Sequence, residues 1–173
     1  MESSIKKEIL SWVLTIVLAV ALALLIRIFL FEIVQVKQTS MVPTLNDGDR
    51  VFVSNITYRI SDPEFQDIVV IKIDKETRYV KRVIGMPGDS VQIVDSKVYV
   101  NGKQIDEPYL SDDIVYEDYP LTTVPEGSYF VMGDNRPSSI DSRDPSVGLI
   151  SREQFKSKVL FRVYPFSEFG NVK

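Results

Sequence analysis

The chain has 173 residues, which is enough for about one domain. It contains no cysteine and no histidine, which excludes disulfides, thiol nucleophiles, histidine-based catalytic triads and cysteine or histidine metal sites. The net charge is −4, from 20 basic and 24 acidic residues, so the chain lacks the basic excess that nucleic acid binding requires. We therefore expect no nucleic acid partner. Hydrolytic chemistry would have to use serine, threonine, lysine or carboxylate side chains, or a metal held by oxygen ligands.

An apolar segment near the N-terminus predicts a membrane anchor. Residues 9–26 contain no charged side chain, and a helix of these 18 residues would be about 27 Å long, close to the hydrocarbon thickness of a bilayer. The anchor extends to residue 31 if the Arg27 side chain reaches an interface. The residues after it are too bulky for a signal-peptide cleavage site, and so long an apolar run is unusual in the core of a small soluble domain.

The charges around the anchor predict its orientation. Lys6 and Lys7 precede the apolar run, whereas Arg27, Glu32 and Lys37 follow it. This slight positive-inside bias favours a cytoplasmic N-terminus. The predicted division is a cytoplasmic tail at residues 1–8, a single transmembrane anchor at 9–31 and an extracytoplasmic domain at 32–173.

Strand signals dominate the rest of the chain. Apolar, β-branched stretches alternate with turns rich in Gly, Pro, Asn and Asp, and Asn101 followed by Gly102 is a strong hairpin signal. We predict strands at residues 50–53, 67–73, 78–84, 90–94, 97–100, 103–105, 128–132 and 158–163. Residues 151–154 resemble a capping box that opens a short helical turn. Residues 106–124 are acidic and aperiodic, which indicates a long loop or insertion. The predicted fold class is mainly β, a β-barrel or folded sheet behind one transmembrane helix.

Three segments carry candidate chemistry. They are residues 39–45 (TSMVPTL), 79–89 (YVKRVIGMPGD) and 133–143 (GDNRPSSIDSR). Each has an ordinary structural interpretation, respectively a turn, an alternating strand and a polar loop. Strand alternation, however, puts Lys81 on the same face as Tyr79 and Val83, and such an apolar face is unusual for a solvated lysine.

Taken together, the three segments predict a Ser/Lys hydrolase. A serine hydroxyl is a poor nucleophile until a base removes its proton. In a chain without histidine, a neutral lysine is the best remaining base. Free lysine has a pKa of about 10.4, and burial in an apolar site brings this pKa toward neutrality. The apolar strand face around Lys81 supplies that burial, and a nearby hydroxyl can fix the amine in place.

The three segments, in this order behind an anchor, resemble the boxes of bacterial type I signal peptidases. These are membrane-bound Ser/Lys endopeptidases that remove signal peptides from exported proteins, and the short length is similar to the Gram-positive members. The resemblance implies a serine endopeptidase on the outer face of a bacterial plasma membrane, which cuts after small residues at −1 and −3 without a cofactor or metal. The implied partners are the signal peptides of exported preproteins and the lipid bilayer, and an association with a translocase is left open.

The resemblance also implies roles for individual residues. Ser40 is expected to be the nucleophile, Lys81 the general base and Ser139 the hydroxyl that orients the lysine. The backbone N–H of Ser40 is expected to donate to the oxyanion. Gln38 stands where many members have Ser or Gly, and its bulkier amide is a candidate second donor. The expected substrate-pocket residues are Val36, Met41, Leu45, Tyr79 and Val80. The expected structural supports are Arg82, Gly133, Asp134, Asp141 and Arg143.

The short connection between anchor and nucleophile predicts a site close to the membrane. Only 14 residues separate Ile26 from Ser40, so we expect the nucleophile near the bilayer surface and expect Met41 and Val42 to touch lipid. An extended substrate is expected to dock as an added strand, with alternate side chains entering pockets.

Three alternatives compete with this interpretation. A weakly active or inactive anchored β-domain that serves as a binding module is disfavoured because Ser40 and Lys81 are both present. A self-cleaving protease of the repressor type is disfavoured by the anchor and the acidic balance. A metal hydrolase that uses only carboxylates would have to use Asp134, Asp141 and Asp144. Arg136 and Arg143 are interleaved with these carboxylates and would neutralise them.

Overall fold

The computed structural model describes residues 2–111 and 113–172, with side chains for 5–24, 30–111 and 113–172. The chain begins with the helix α1 (Glu2–Leu30). Its segment Ile5–Leu24 is long and apolar enough to cross a membrane, and none of it is buried. The predicted anchor at 9–31 therefore lies within α1, apart from the last residue. The expected position of the Arg27 side chain lies outside the described side chains.

The remainder of the described chain is mainly β, as predicted. The strands are β1 (Phe31–Gln35), β2 (Arg50–Ser54), β3 (Ile68–Lys72), β4 (Arg78–Gly85), β5 (Ser90–Val94), β6 (Lys97–Val100), β7 (Lys103–Gln104), β8 (Tyr119–Thr123), β9 (Ser128–Met132), β10 (Ile150–Ser151), β11 (Phe155–Tyr164) and β12 (Gly170–Asn171). The other helical elements are α2 (Thr57–Ile60) and two 3₁₀ turns at Arg152–Gln154 and Phe166–Glu168.

The strands form two antiparallel sheets. The large sheet has the order β1-β2-β11-β3-β4-β9-β10, with β12 added beside β11, and the small sheet has the order β7-β6-β5-β8. Because β1 and β10 end the large sheet without pairing to each other, it is an open, curled sheet rather than a closed barrel. Of the two predicted architectures, a β-barrel and a folded sheet, the chain therefore adopts the folded sheet.

Strand β4 connects the three hydrophobic clusters of the core. Its Val80 packs against the first cluster, Val83 belongs to the second and Ile84 to the third. Gly85 ends the strand where the small sheet approaches most closely. A Cβ atom there would lie 2.6 Å from Val91 Cγ2, so only glycine permits this contact between the sheets.

The sequence prediction missed several short elements, of which β1 and β8 matter most for the fold. Residues 31–35 continue the apolar run of the anchor in the sequence, but they form the strand β1 because they pair with β2. Within the predicted 106–124 loop, β8 pairs with β5, so the loop prediction is wrong for this part. Pro120 obscures the strand signal, but β8 lies at the edge of the small sheet, where a missing N–H is tolerated.

Strand β11 begins earlier than predicted. Its pairing with β2 and β3 shifts register at three points, and these irregularities break the alternation that would have marked it as one ten-residue strand. The predicted capping box is confirmed: the Ser151 N–H donates to Gln154 Oε1 over 2.8 Å.

Candidate active site

Lys81 lies in the interior of the molecule, on the apolar face that strand alternation predicts. Its residue is 1% exposed, and its Nζ lies 5.3 Å from the centre of the Tyr79 ring, with Val83 in the same packing layer. Its Nζ donates to Ser139 Oγ over 3.0 Å. Burial lowers the pKa of Lys81 to about 8, although the Asp141 carboxylate opposes this shift. A substantial fraction of this amine is therefore neutral near physiological pH.

Asp134 connects the three segments that the sequence singled out. It is fully buried, and its carboxylate accepts two hydrogen bonds from Arg82 of the second segment, from Nε over 3.0 Å and from Nη2 over 2.7 Å. The Thr44 hydroxyl of the first segment donates to the same carboxylate over 2.5 Å. One buried carboxylate thus fixes the relative position of all three segments.

Ser40 lies in a tight turn that is fastened to the third segment. Within the turn, the Leu45 N–H donates to the Met41 carbonyl over 2.8 Å. The Asn135 N–H donates to the Ser40 carbonyl over 3.0 Å, and the Asn135 side-chain amide donates to the Thr39 carbonyl over 3.1 Å. Hydrogen bonds from Asn135 therefore hold both of the peptide groups that flank the α-carbon of the candidate nucleophile.

Gly133 is the point where Ser40 and Ser139 meet. A Cβ atom on this glycine would lie 2.2 Å from Ser139 Oγ and 2.4 Å from the Ser40 carbonyl oxygen. Both serines therefore border the same α-carbon, and Ser139 in turn holds the Lys81 amine. The Ser40 backbone and the Ser139 hydroxyl therefore lie side by side, and that hydroxyl holds the candidate base.

Asp141 and Arg143 brace the loop that carries Ser139. The Gly133 N–H donates to Asp141 Oδ2 over 2.9 Å. Arg143 donates to the two oxygens of the same carboxylate, over 2.8 Å each. Burial opposes ionisation of Asp141, but the hydrogen bonds and charge of Arg143 outweigh it and hold the pKa of the carboxyl below its usual value. Asp134 thus forms a salt bridge with Arg82, and Asp141 forms one with Arg143.

Gln38 has an unusual backbone conformation. Its φ is 115°, a region that glycine favours and other residues rarely adopt. The Gln38 N–H donates to Asp47 Oδ1 over 2.9 Å, which holds the strained peptide in place. Its side chain is exposed.

The five predicted pocket residues do not form one group. Val36, Met41 and Leu45 are buried together in the first core cluster, and Val80 packs against that cluster. Tyr79 lies in the second cluster, on the other face of β4. Met41 is 1% exposed, so the expectation that it touches lipid is wrong, because its side chain points into the core.

Several residues of the site escaped the sequence analysis. Thr44 and Asn135 stood in the recognised segments, but their partners lie about 90 residues away. Arg136 was expected to neutralise the neighbouring aspartates, but it forms its salt bridge with Glu107 from the 106–124 region, with Tyr116 beside them. Arg136 is 1% exposed. A loop acid such as Glu107 carries no local signal that distinguishes it from its exposed neighbours.

Comparison with known proteins identifies the family. A family model described as "Signal peptidase, peptidase S26" matches residues 9–164. Signal peptidase I of Bacillus licheniformis is 46% identical over 173 residues, which cover 94% of this chain and 92% of that protein. Signal peptidase IB of Staphylococcus aureus (strain COL) is 41% identical, over 95% and 94% respectively. A solved signal peptidase I from Enterococcus faecalis V583 is 34% identical and covers 58% of this chain and 98% of its own, with a TM-score of 0.48.

The chain therefore belongs to the signal peptidase family, peptidase S26. The predicted enzyme class, a membrane-anchored serine endopeptidase that removes signal peptides, is confirmed. The roles assigned above to individual residues remain predictions, and the contacts described here are what support them.

Replacement of Gly133 by alanine should abolish most of the activity. The new methyl group would overlap Ser139 Oγ and the Ser40 carbonyl oxygen, so one of the two serines must move. We expect kcat for signal-peptide cleavage to fall by roughly 10²-fold or more, with a stability loss of about 1–3 kcal/mol in thermal unfolding.

The matched control is Gly85→Ala, which is also crowded, although less tightly, by Val91 at 2.6 Å and Phe130 at 3.0 Å rather than by the site. It should lose a similar amount of stability and keep its kcat at temperatures where it is folded. Wild-type kcat in Gly133→Ala would contradict the proposed meeting of the two serines.

Proposed function

We propose that this signal peptidase cuts its substrates with Ser40 as the nucleophile and neutral Lys81 as the general base. The observation that carries the proposal is the buried Lys81 amine, which donates to Ser139 Oγ. Ser139 in turn packs against Gly133, the glycine that also borders Ser40. A buried amine without a carboxylate partner loses its proton more easily than an exposed one.

The reaction then follows the acyl-enzyme route. Lys81 takes the proton from Ser40 Oγ, and the alkoxide attacks the carbonyl carbon of the scissile peptide. The protonated Lys81 gives its proton to the departing amine of the mature protein. A water molecule, deprotonated by Lys81, hydrolyses the acyl-enzyme and releases the signal peptide. Throughout both steps Ser139 Oγ keeps the amine in position.

The oxyanion of the tetrahedral intermediate needs hydrogen-bond donors. The Ser40 N–H is the first donor in this proposal, since the turn and Asn135 fix its peptide. The Gln38 side-chain amide is the second donor. The strained backbone of Gln38 supports this role, because such conformations persist mainly where the surroundings enforce them.

Substrate selection is proposed to rest on the surface above the first core cluster. Val36 directly follows β1 and Val80 lies on β4, and both pack in the same cluster as Met41 of the Ser40 turn. A strand-like substrate presents every second side chain to one face, so residues −1 and −3 would meet this surface together. Met41 and Leu45, at 1% and 0% exposure, form the layer beneath it.

The catalytic domain is proposed to rest on the outer face of a bacterial plasma membrane, with the N-terminus in the cytoplasm. Aromatic rings stack across the large sheet, beginning directly after α1: Phe31 on Phe52 at 5.1 Å, Phe52 on Phe161 at 4.9 Å and Phe161 near Phe169 at 5.8 Å between centroids. Phe169 is 63% exposed. Exposed apolar patches of this kind mark interaction surfaces, and this one lies where the chain leaves the anchor.

The nucleophile and base are tested by cleavage of a preprotein whose signal ends in Ala-x-Ala, in detergent. Wild type should cut after the final Ala, and Ser40→Ala and Lys81→Arg should each lose activity by about 10⁴-fold or more. Arginine retains the positive charge but cannot release its proton at working pH.

The control variant is Lys97→Arg, an exposed lysine on β6, which should retain full activity. Activity of Lys81→Arg equal to that of Lys97→Arg would refute the lysine base. If wild type and Ser40→Ala were both inactive on the preprotein, the chain would instead be an anchored binding module.

The rate should rise with pH around the pKa of Lys81. Since that pKa is lowered to about 8, the neutral fraction grows about tenfold per pH unit below pH 8 and saturates above it. We expect kcat/KM to follow this curve from pH 6 to pH 10, with thermal unfolding checked across the same range. A flat profile under conditions where chemistry limits the rate would be incompatible with Lys81 as the base.

The oxyanion role of Gln38 is tested by two replacements that keep a side chain at the same strained φ. Gln38→Leu removes the amide with little change in size, and we expect kcat to fall by about 10²-fold. Gln38→Ser supplies a hydroxyl donor and should remain within about tenfold of wild type. Equal kcat values for the two variants would show that the Gln38 side chain does not contact the oxyanion.

A further inference from the structure

Arg136, in the third segment, is a buried cation that the reaction does not use. It is 1% exposed. Its Nε donates to the Gly133 carbonyl over 3.1 Å. Gly133 is the glycine that borders Ser40 and Ser139, so Arg136 holds the carbonyl of the residue on which the site converges.

The countercharge of Arg136 comes from the insertion, which we define as residues 105–118, between β7 and β8. Glu107 Oε1 accepts from Arg136 Nη2 over 2.5 Å, and Glu107 Oε2 accepts from Nη1 over 3.2 Å. Among the described residues, Glu107 is the carboxylate that forms a salt bridge with Arg136. A buried guanidinium without such a partner is strongly disfavoured. Burial would lower the pKa of Arg136, but the hydrogen bonds that Arg136 donates to Glu107 and the charge of that carboxylate outweigh burial and raise the pKa. The guanidinium therefore stays charged.

Two tyrosines of the insertion strengthen this attachment. The Tyr109 hydroxyl donates to Glu107 Oε1 over 2.8 Å, and the Tyr109 ring lies 3.7 Å from the Arg82 guanidinium carbon. The Tyr116 hydroxyl accepts from Arg136 Nη1 over 3.1 Å. The insertion therefore contacts arginines of both the second and the third segment.

The contacts form one continuous chain from the insertion to the lysine. Glu107 binds Arg136, Arg136 binds the Gly133 carbonyl, and Gly133 packs against Ser139, which holds Lys81. The other polar group of Gly133, its N–H, is held by Asp141 from within the loop. Because its N–H and its carbonyl are both hydrogen-bonded, the α-carbon of Gly133 is held in place relative to the two serines.

We propose that Glu107 is a positioning residue for catalysis, which fixes the Gly133 peptide through Arg136 and thereby sets the position of Ser139 against Lys81. The proposal rests on the roles proposed above for Ser40, Lys81 and Ser139. It assigns to the insertion a part in the reaction rather than only a part in the fold. Loss of the Glu107 charge leaves Arg136 uncompensated, so its guanidinium turns toward water and releases the Gly133 carbonyl.

The test measures kcat and KM for a preprotein with the full-length enzyme in detergent. Glu107→Gln keeps the size of the side chain and removes its charge, and we expect kcat to fall at least tenfold with KM within twofold. Glu107→Asp keeps the charge and should recover part of the loss. The matched control is Glu117→Gln, which removes the same charge from an exposed position of the insertion and should leave both constants unchanged.

A second measurement separates positioning from general stability. If Glu107 acts through Ser139, its effect should nearly vanish in a Ser139→Ala background, so the double variant should be about as slow as Ser139→Ala alone. Should Glu107→Gln fail to fold, as judged by thermal unfolding, the same comparison is made with Tyr116→Phe, which removes one hydroxyl that accepts from Arg136. A tenfold loss that persists undiminished in the Ser139→Ala background would overturn the proposal, and so would wild-type kcat in Glu107→Gln.

The Ser40→Ala variant, assayed in parallel, keeps the two proposals distinguishable. If Ser40→Ala cleaves the preprotein, the proposed nucleophile is wrong whatever Glu107→Gln does. If wild type alone cleaves and Glu107→Gln equals wild type, the proposed function stands and only the inference about Glu107 fails.

Discussion

The buried ion pair between Asp134 and Arg82 is the interaction on which the site depends. It joins the third segment to β4, and the Thr44 hydroxyl adds the Ser40 turn to the same carboxylate. A carboxylate with no exposed surface is tolerable only when its charge and lone pairs are satisfied. The three segments are therefore bound together, because loss of any one partner would leave a buried group unsatisfied. Ser40, Lys81 and Ser139 lie close in sequence to Thr44, Arg82 and Asp134, respectively.

The buried cations of the site fall into two kinds. Arg82 and Arg136 each have a carboxylate within 2.7 Å and are permanently charged. Lys81 has a hydroxyl as its hydrogen-bond partner instead, so loss of its proton does not break an ion pair with that partner. Burial lowers its pKa to about 8. The arginines thus provide rigidity while the lysine remains free to exchange a proton. The same division explains why substitution of Lys81 by arginine, which preserves charge and approximate size, is expected to be so damaging.

The insertion belongs to this arrangement although it carries none of the recognised residues. The insertion is followed by β8, which completes the small sheet and fixes that end of the insertion to the core. Its Glu107 contacts Arg136, which donates to the Gly133 carbonyl, and its Tyr109 contacts Arg82. Contacts from four separate parts of the chain consequently surround the site. These contacts restrict the movement of the candidate side chains before a substrate binds. Such preorganisation is what a weak nucleophile and a lysine base require.

The sequence by itself determined the apolar helix of the anchor, the β-rich class and most strand positions, and it supplied the candidate residues of the site. These depend on local signals: an uncharged apolar run, alternation, turn residues and the absence of histidine and cysteine. It also placed Lys81 on an apolar face, because alternation along one strand is a local property. The resemblance to signal peptidases also supplied Ser139 as the partner of Lys81. The tertiary structure alone decided that Asp134 contacts Thr44 and that Arg136 contacts Glu107, since these partners lie 90 and 29 residues away along the chain. It likewise decided that Tyr119–Thr123 is a strand and that Met41 is buried, because edge pairing and core packing depend on which distant surfaces the fold brings together.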